Sequence, residues 1–240
     1  MFFRAFIFSF CIFLFACAGR PSAEFAAEKY IGAPYVLGPL GEGASAPYDT
    51  DPLRRDDAFD CLTFVETVLA DSSGIDLQKI RYDDGRIDWF ARNHWTETEW
   101  IPNVVKLGLI RPIKTGHSAK TFARVDFKKW YKENVATPAN HADTEIIESA
   151  KPFEMSVSYV PRADIKPELL EKMPRDMIVF FIRCDVQNSA VAGDIIAHTG
   201  FLFDGRNLIH AGQGTGVVHI DFLEYLSASK FCGAAFYEVI

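Results

Sequence analysis

The chain has 240 residues, 49% of them hydrophobic, and a formal net charge of −7. That length is ample for one substantial core, or for a domain carrying a large insertion. A modestly acidic chain without basic runs argues against nucleic acid as a partner, and no internal repeat points to a solenoid.

Met1-Phe2-Phe3-Arg4 is followed by an apolar run over residues 5–16, short of the roughly 20 residues a spanning helix needs. One positive charge, a short apolar stretch and then small residues predict a secretory signal over 1–16, outside the fold. Leu14-Phe15-Ala16-Cys17 is similar to a bacterial lipobox, which makes Cys17 the lipidated mature N-terminus; Phe15 is larger than that pattern usually holds. Ala16-Cys17-Ala18 also fits ordinary cleavage, and an uncleaved anchor is the third alternative. Each places the protein outside the cytoplasm, in the periplasm or as a lipoprotein held to the outer membrane of a bacterium. The mature body keeps Cys61, Cys184 and Cys232. A Cys184–Cys232 disulfide leaves Cys61 as the odd, free thiol; the alternative is that all three are reduced and two are simply buried.

Residues 23–31 carry apolar positions at helical spacing among good helix formers, and Gly32-Ala33-Pro34 stops that helix. Residues 38–57, rich in Gly, Pro, Asp and Arg, read as a surface loop. A second helix starts near Cys61 behind a capping Asp60, with Leu62, Val65, Val68 and Leu69 as its buried stripe and 71–75 as its end. Residues 76–160 are less transparent. They hold all four tryptophans, Trp89, Trp95, Trp100 and Trp130, which suit either a sugar- or peptide-facing wall or an aromatic core. A short helix is expected over 167–172, with Pro167 in its first position. Strands follow at 177–182, 194–203, 208–211, 217–220 and 234–239, with a turn at 204–207. Helices first and a mostly antiparallel sheet afterwards make the fold class α+β.

A thiol is mostly protonated at neutral pH, and only the thiolate is a strong nucleophile. A helix N-terminus and a neighbouring imidazolium both favour it. Cys61 has the helix end from its own sequence, and His198, inside an apolar strand, supplies an imidazole. His210 recurs twelve positions later beyond the turn and can fix the ring of the first. Directly opposed residues of a hairpin share a face, and faces alternate. His198 and His210 therefore share a face only if opposed numbers sum to an even value. A two-residue turn at Asp204-Gly205 gives an odd sum, so a three-residue loop or a bulge is required. Asp194, on the His198 face of the same strand, is the fallback third residue. The six histidines (His94, His117, His141, His198, His210 and His219) show no HExxH spacing, and no paired-cysteine motif occurs, so neither a metal nor a cofactor is expected. No G-x-S-x-G elbow or phosphate-binding glycine loop is present.

These residues resemble the NlpC-type cysteine peptidases that cut bacterial cell-wall peptides. Gly32-Ala33-Pro34-Tyr35 is similar to that family's approach to its catalytic helix, Phe59-Asp60-Cys61 to its Asp-Cys start, and Pro174-Arg175-Asp176-Met177-Ile178-Val179-Phe180-Phe181 to its first sheet strand, with Arg175 where Gly is usual. Gly193-Asp194-Ile195-Ile196 is a rival for that last motif. His198-Thr199-Gly200-Phe201 and Leu208-Ile209-His210-Ala211 resemble the strands bearing its histidine and third residue. The long stretch between Cys61 and His198, with Asp88-Trp89-Phe90-Ala91-Arg92-Asn93-His94-Trp95 and Trp100, is similar to the NlpC-like branch of N-acetylmuramoyl-L-alanine amidases.

The resemblance implies a single papain-like domain over 23–240, its helices packed on a mostly antiparallel sheet, with a large insertion at about 76–170 between catalytic helix and sheet. It implies Cys61 as nucleophile, His198 as general base and His210 as orienter. Tyr35 aids the oxyanion, holds substrate, or packs the corner before the helix. Arg92, His94 and Trp100 are candidate substrate contacts, with structural roles as the alternative. The expected partner is peptidoglycan or a muropeptide, and the expected reaction is hydrolysis of the muramoyl–L-alanine amide through an acyl-enzyme. A stem-peptide endopeptidase acting at D-glutamyl–diamino acid bonds and a non-catalytic envelope-binding lipoprotein are the alternatives.

Overall fold

Residues 20–116, 118–135, 141–183 and 195–240 are described by the computed structural model. The signal over 1–16, Cys17, Cys184 and Asp194 lie outside them. A short first helix, α1 (Ala23–Glu28), begins at Ser22, whose side chain accepts from the Phe25 N–H. It stops earlier than expected, in a turn that ends at Gly32, φ 92°. The central helix, α2 (Cys61–Ser73), starts at Asp60 with a complete capping box. Asp60 accepts from the Thr63 N–H at 2.7 Å, and the Thr63 hydroxyl accepts from the Asp60 N–H at 2.9 Å. Gly74, φ 69°, closes the helix in the left-handed conformation that glycine tolerates. Val65, Val68 and Leu69 are buried as expected, whereas Leu62 is half-buried; Thr63, Phe64, Glu66 and Thr67 are buried too, because α2 is enclosed on more than one side.

The chain then adds α3 (Leu77–Arg81), α4 (Ile101–Lys106), β1 (Ile110–Pro112), β2 (Ala119–Val125), α5 (Phe127–Asn134), α6 (His141–Ser149), β3 (Phe153–Pro161) and α7 (Pro167–Leu170). It finishes with β4 (Asp176–Ile182), β5 (Ile196–Phe203), β6 (Asn207–Gly212), β7 (Gly216–Asp221), α8 (Phe222–Ala228) and β8 (Gly233–Val239). All ladders of the eight-stranded sheet are antiparallel, in the order β2-β3-β8-β4-β5-β6-β7. The class is α+β. The expected order of helices before strands is corrected: β1, β2 and β3 precede β4. The region read as an insertion is also no appendage, since β3 and β1 share one edge of β8 while β4 takes the other.

One face of the sheet is covered by α1 and α2, with Phe64, Val65 and Val68 packed among Ile178, Phe180, Phe201 and Phe203. The other carries Met177, Val179, Phe181, Leu202 and Leu208 against Leu170 of α7 and Phe222 and Leu226 of α8. Burying each of these side chains contributes roughly 1.5–3 kcal/mol. The alternating faces of one strand serve both layers, as the period of two requires.

The tryptophans go to the core rather than to a ligand-facing wall. Trp100 is fully buried, Trp95 and Trp89 nearly so. Trp130 lies half-buried against Trp89, rings stacked 6.0 Å apart. Trp89, Tyr131 and Ile147 centre a satellite cluster that Tyr48 and Phe90 join.

Candidate active site

Strands β5 and β6 pair over Phe201–Phe203 and Asn207–Ile209, with Phe203 opposite Asn207. The loop between them is therefore three residues long, Asp204-Gly205-Arg206, and the opposed numbers sum to an even value. Asp204 (φ 52°) and Gly205 (φ 65°) take the left-handed conformations that tighten it. Continuing the count sets His210 opposite Gly200, and a Cβ on Gly200 would stand 2.7 Å from that of His210. His198, two residues earlier, shares their face. A bulge at Ala197, between the pairs Phe181↔His198 and Ile182↔Ile196, sits beside it.

His198 Nε2 and His210 Nδ1 are 2.7 Å apart and the ring planes stand at 86°. Both imidazoles are buried. Phe231 lies parallel to the His198 ring at 6.3 Å, and Phe181 covers it at 5.5 Å. Burial holds His198 well below the usual imidazole range, to about 3, with His210 adding to the effect; burial alone takes His210 to about 4. Both rings are therefore neutral, and one donates to the other.

Cys61 opens α2 against the same two strands. The β5–β6 ladder stops at Phe201 and Ile209, and beyond that point the Thr199 N–H donates to the Cys61 sulfur. The Leu62 and Cys61 N–H groups of the helix start point there as well. These donors favour the thiolate, but burial first and the Asp60 charge second outweigh them and push the thiol up to about 12. The resting site is thus a neutral thiol beside a neutral imidazole pair.

The segment before α2 is tied on both sides. Phe59 N–H donates to Pro34 O and Val36 N–H to Phe59 O, bridging Tyr35 to Phe59. Gly32 and Ala33 exchange hydrogen bonds with Val217 of β7. Gly216 must lack a side chain there, since a Cβ would meet Ala33 O at 2.4 Å. This sewing delivers Tyr35 to the thiol. A cavity of about 510 Å³ results, lined by Tyr35, Cys61, His198, His210, Tyr225 and Phe231, with Gln213, Thr215, Val218 and Ile220 completing its walls. Burial, with the neighbouring Cys61 charge second, pushes Tyr35 up to about 12.

Three residues expected near substrate stand elsewhere. Trp100 is in the core, its indole N–H on Glu66 at 2.9 Å. His94 packs on Trp89 with centroids 4.2 Å apart and bonds Trp89 O at 2.8 Å, and burial holds it at about 4. Arg92 is committed to Glu42 and, at 2.8 Å, to Asp49. Arg92 clasps the loop over 38–57, His94 joins the satellite aromatic cluster, and Trp100 ties to the central helix. Asp194 lies outside the described residues. Cys61 is free, Cys232 is disulfide-bonded, and its expected partner Cys184 is outside the described residues.

Tyr225 and Phe231 went unread in the sequence. Asp221 with Glu224 three residues on is a helix-start signature, Asp221 accepting from the Glu224 N–H, and Phe222 with Leu226 at i,i+4 marks the buried face of α8.

No curated protein matches the chain. Among solved structures it is similar to a Legionella pneumophila protein at 24% identity and TM-score 0.77, covering 91% of this chain and 88% of that one. It is also similar to an N-acetylmuramoyl-L-alanine amidase from Bacteroides uniformis at 25% identity and TM-score 0.68, covering 91% and 98%. A family model described as AmiA-like, N-acetylmuramoyl-L-alanine amidase-like, matches residues 25–233, and the chain belongs to that family.

Proposed function

We propose that the chain is a cysteine amidase hydrolysing the amide between the N-acetylmuramoyl group and L-alanine in peptidoglycan fragments, on a single papain-like, NlpC-type domain. The amidase part rests on the family and on the Bacteroides uniformis relative. The cysteine part rests on the 2.7 Å contact between His198 Nε2 and His210 Nδ1 on a cavity that Cys61 also lines. The apolar run over 1–16 supports an address outside the cytoplasm, with Cys17 as a lipid anchor.

For His198 to accept a proton from Cys61, its Nδ1 must carry the lone pair, so Nε2–H donates to His210 Nδ1. His210 is then the orienter that fixes the tautomer. Cys61 Sγ attacks the carbonyl carbon and its proton passes to His198. The C–N bond breaks and the stem amine leaves with that proton. Water, deprotonated by His198, then attacks the thioester carbon, the C–S bond breaks, the proton passes from His198 to the Cys61 sulfur, and the muramic acid is released. The Cys61 N–H at the start of α2 is positioned as an oxyanion donor.

Incubation with defined muropeptides, read by mass spectrometry, tests the reading. Free muramic sugar and an intact stem peptide are expected, and Cys61→Ala is expected to lose all turnover with its fold retained. Turnover by that variant sinks the cysteine mechanism; cleavage inside the stem makes the chain an endopeptidase.

A further inference from the structure

Tyr225, on the short helix after β7, is a wall of the cavity opposite the sewn loop that brings Tyr35. Its ring lies 4.7 Å from that of His210 and 5.9 Å from that of His198. Tyr35, from the loop before α2, and Tyr225, from α8, line the same cavity as Cys61. Among the described residues the Tyr225 hydroxyl makes no hydrogen bond, although the residue is half-buried. The hydroxyl is not sealed in the core, so it is open to a partner that enters the cavity. Among the described residues that line the cavity none is Lys, Arg, Asp or Glu, so they offer neutral donors and aromatic surface.

We infer that Tyr225 is a substrate-contacting phenol of this site, donating its O–H to an uncharged oxygen of the acyl, muramoyl side of the substrate beside the scissile amide. This rests on the amidase reading and assigns its acyl side. The charged groups of the stem then lie outside the cavity, and the sugar-bearing group, rich in carbonyl and hydroxyl acceptors, lies within. The ring of Tyr225 has a separate job: it covers the imidazole pair and keeps water from it.

Tyr225→Phe removes the hydroxyl and keeps the ring; Tyr225→Leu removes both. With an N-acetylmuramoyl-L-alanyl peptide as substrate, Tyr225→Phe is expected to lower kcat/KM about tenfold, the scale of one lost hydrogen bond. Its pH profile and its rate of Cys61 alkylation by iodoacetamide should stay those of the parent. Tyr225→Leu should lose more and shift the pH profile as well. A Tyr225→Phe enzyme within twofold of the parent overturns the assignment, and so does a loss matched by slower alkylation, which would place the hydroxyl on the thiol rather than on substrate. If either variant melts earlier than the parent, binding of N-acetylmuramic acid to Cys61→Ala and to its Tyr225→Phe double variant, at a temperature where both are folded, replaces the kinetics. Equal affinities overturn the proposal. Turnover by Cys61→Ala refutes the cysteine mechanism and cleavage inside the stem refutes the amidase reading, so those failures are distinct from that of the Tyr225 assignment.

Discussion

At the scale of single residues, burial sets the protonation of the site. His94, His198 and His210 are held neutral, to about 4, 3 and 4, while in the unfolded chain they take up protons near the ordinary imidazole value of 6.5. Below that value the unfolded state binds more protons, so stability falls as the pH drops toward these folded values. Glu66 acts the other way. Burial, against the pull of Arg81 at 3.4 Å and of the Trp100 indole, raises its carboxyl to about 7, so between 4.5 and 7 the folded state holds a proton that the unfolded state lacks. Three histidines outweigh one carboxyl. The urea midpoint is therefore expected to fall between pH 6.5 and 4.5, and to fall more steeply in Glu66→Gln, where the opposing group is gone. A midpoint that rises on acidification contradicts the neutral imidazole pair. The same burial predicts that the acid limb of kcat/KM lies below pH 5, since His198 keeps its lone pair to low pH; a limb at 6.5 indicates a solvated base.

At the scale of elements, Asp60 does two separable things. Its side chain caps α2 and accepts from the Gly38 N–H at 3.0 Å, and its charge opposes the Cys61 thiolate. Asp60→Asn keeps the cap but loses the acceptor for the Gly38 N–H, so stability should fall by about 0.5–1 kcal/mol while alkylation of Cys61 quickens. Asp60→Ala should cost about 1–2 kcal/mol in chemical denaturation. In the hairpin, Gly200→Ala forces a Cβ into His210 and Ile209 O and should cost about 1–3 kcal/mol, together with most of the activity. These elements were largely legible in the sequence because local chemistry specifies them: a capping aspartate, a glycine stop, apolar runs and a turn. The strands β1 to β3 were not, because Ile110–Pro112 is extended by pairing with the distant β8, and Phe153–Pro161 by pairing with β2 across an intervening helical stretch and with β8 at its end. The candidate contacts Arg92, His94 and Trp100 were misplaced for a related reason. A polar or aromatic side chain looks the same in sequence whether its partner is a ligand or Glu42, Trp89 or Glu66.

At the scale of the whole molecule, β8 joins the two halves of the sheet. It pairs with β3 and β1 along one edge and β4 along the other, although it is the last strand of the chain. One core, running from α2 to Val157 and Ala235, spans both halves. Truncation before Gly233 should therefore leave no folded remnant, and the intact chain should unfold in one transition by circular dichroism and by tryptophan fluorescence alike; two separate transitions would mean two independent units. The three-residue loop Asp204-Gly205-Arg206 bears on a different kind of change. Long surface loops tolerate a lost or gained residue, because closure entropy depends only weakly on length. Here the length is itself a functional parameter. Deleting Gly205 leaves every hydrophobic residue and both histidines in the chain but shifts the pairing by one, turning either the His210 ring or the strand's buried side chains to the wrong face. Alleles of such a protein should thus be intolerant of any single-residue insertion or deletion at this turn, beyond the constraint that the left-handed Gly205 already sets on its composition.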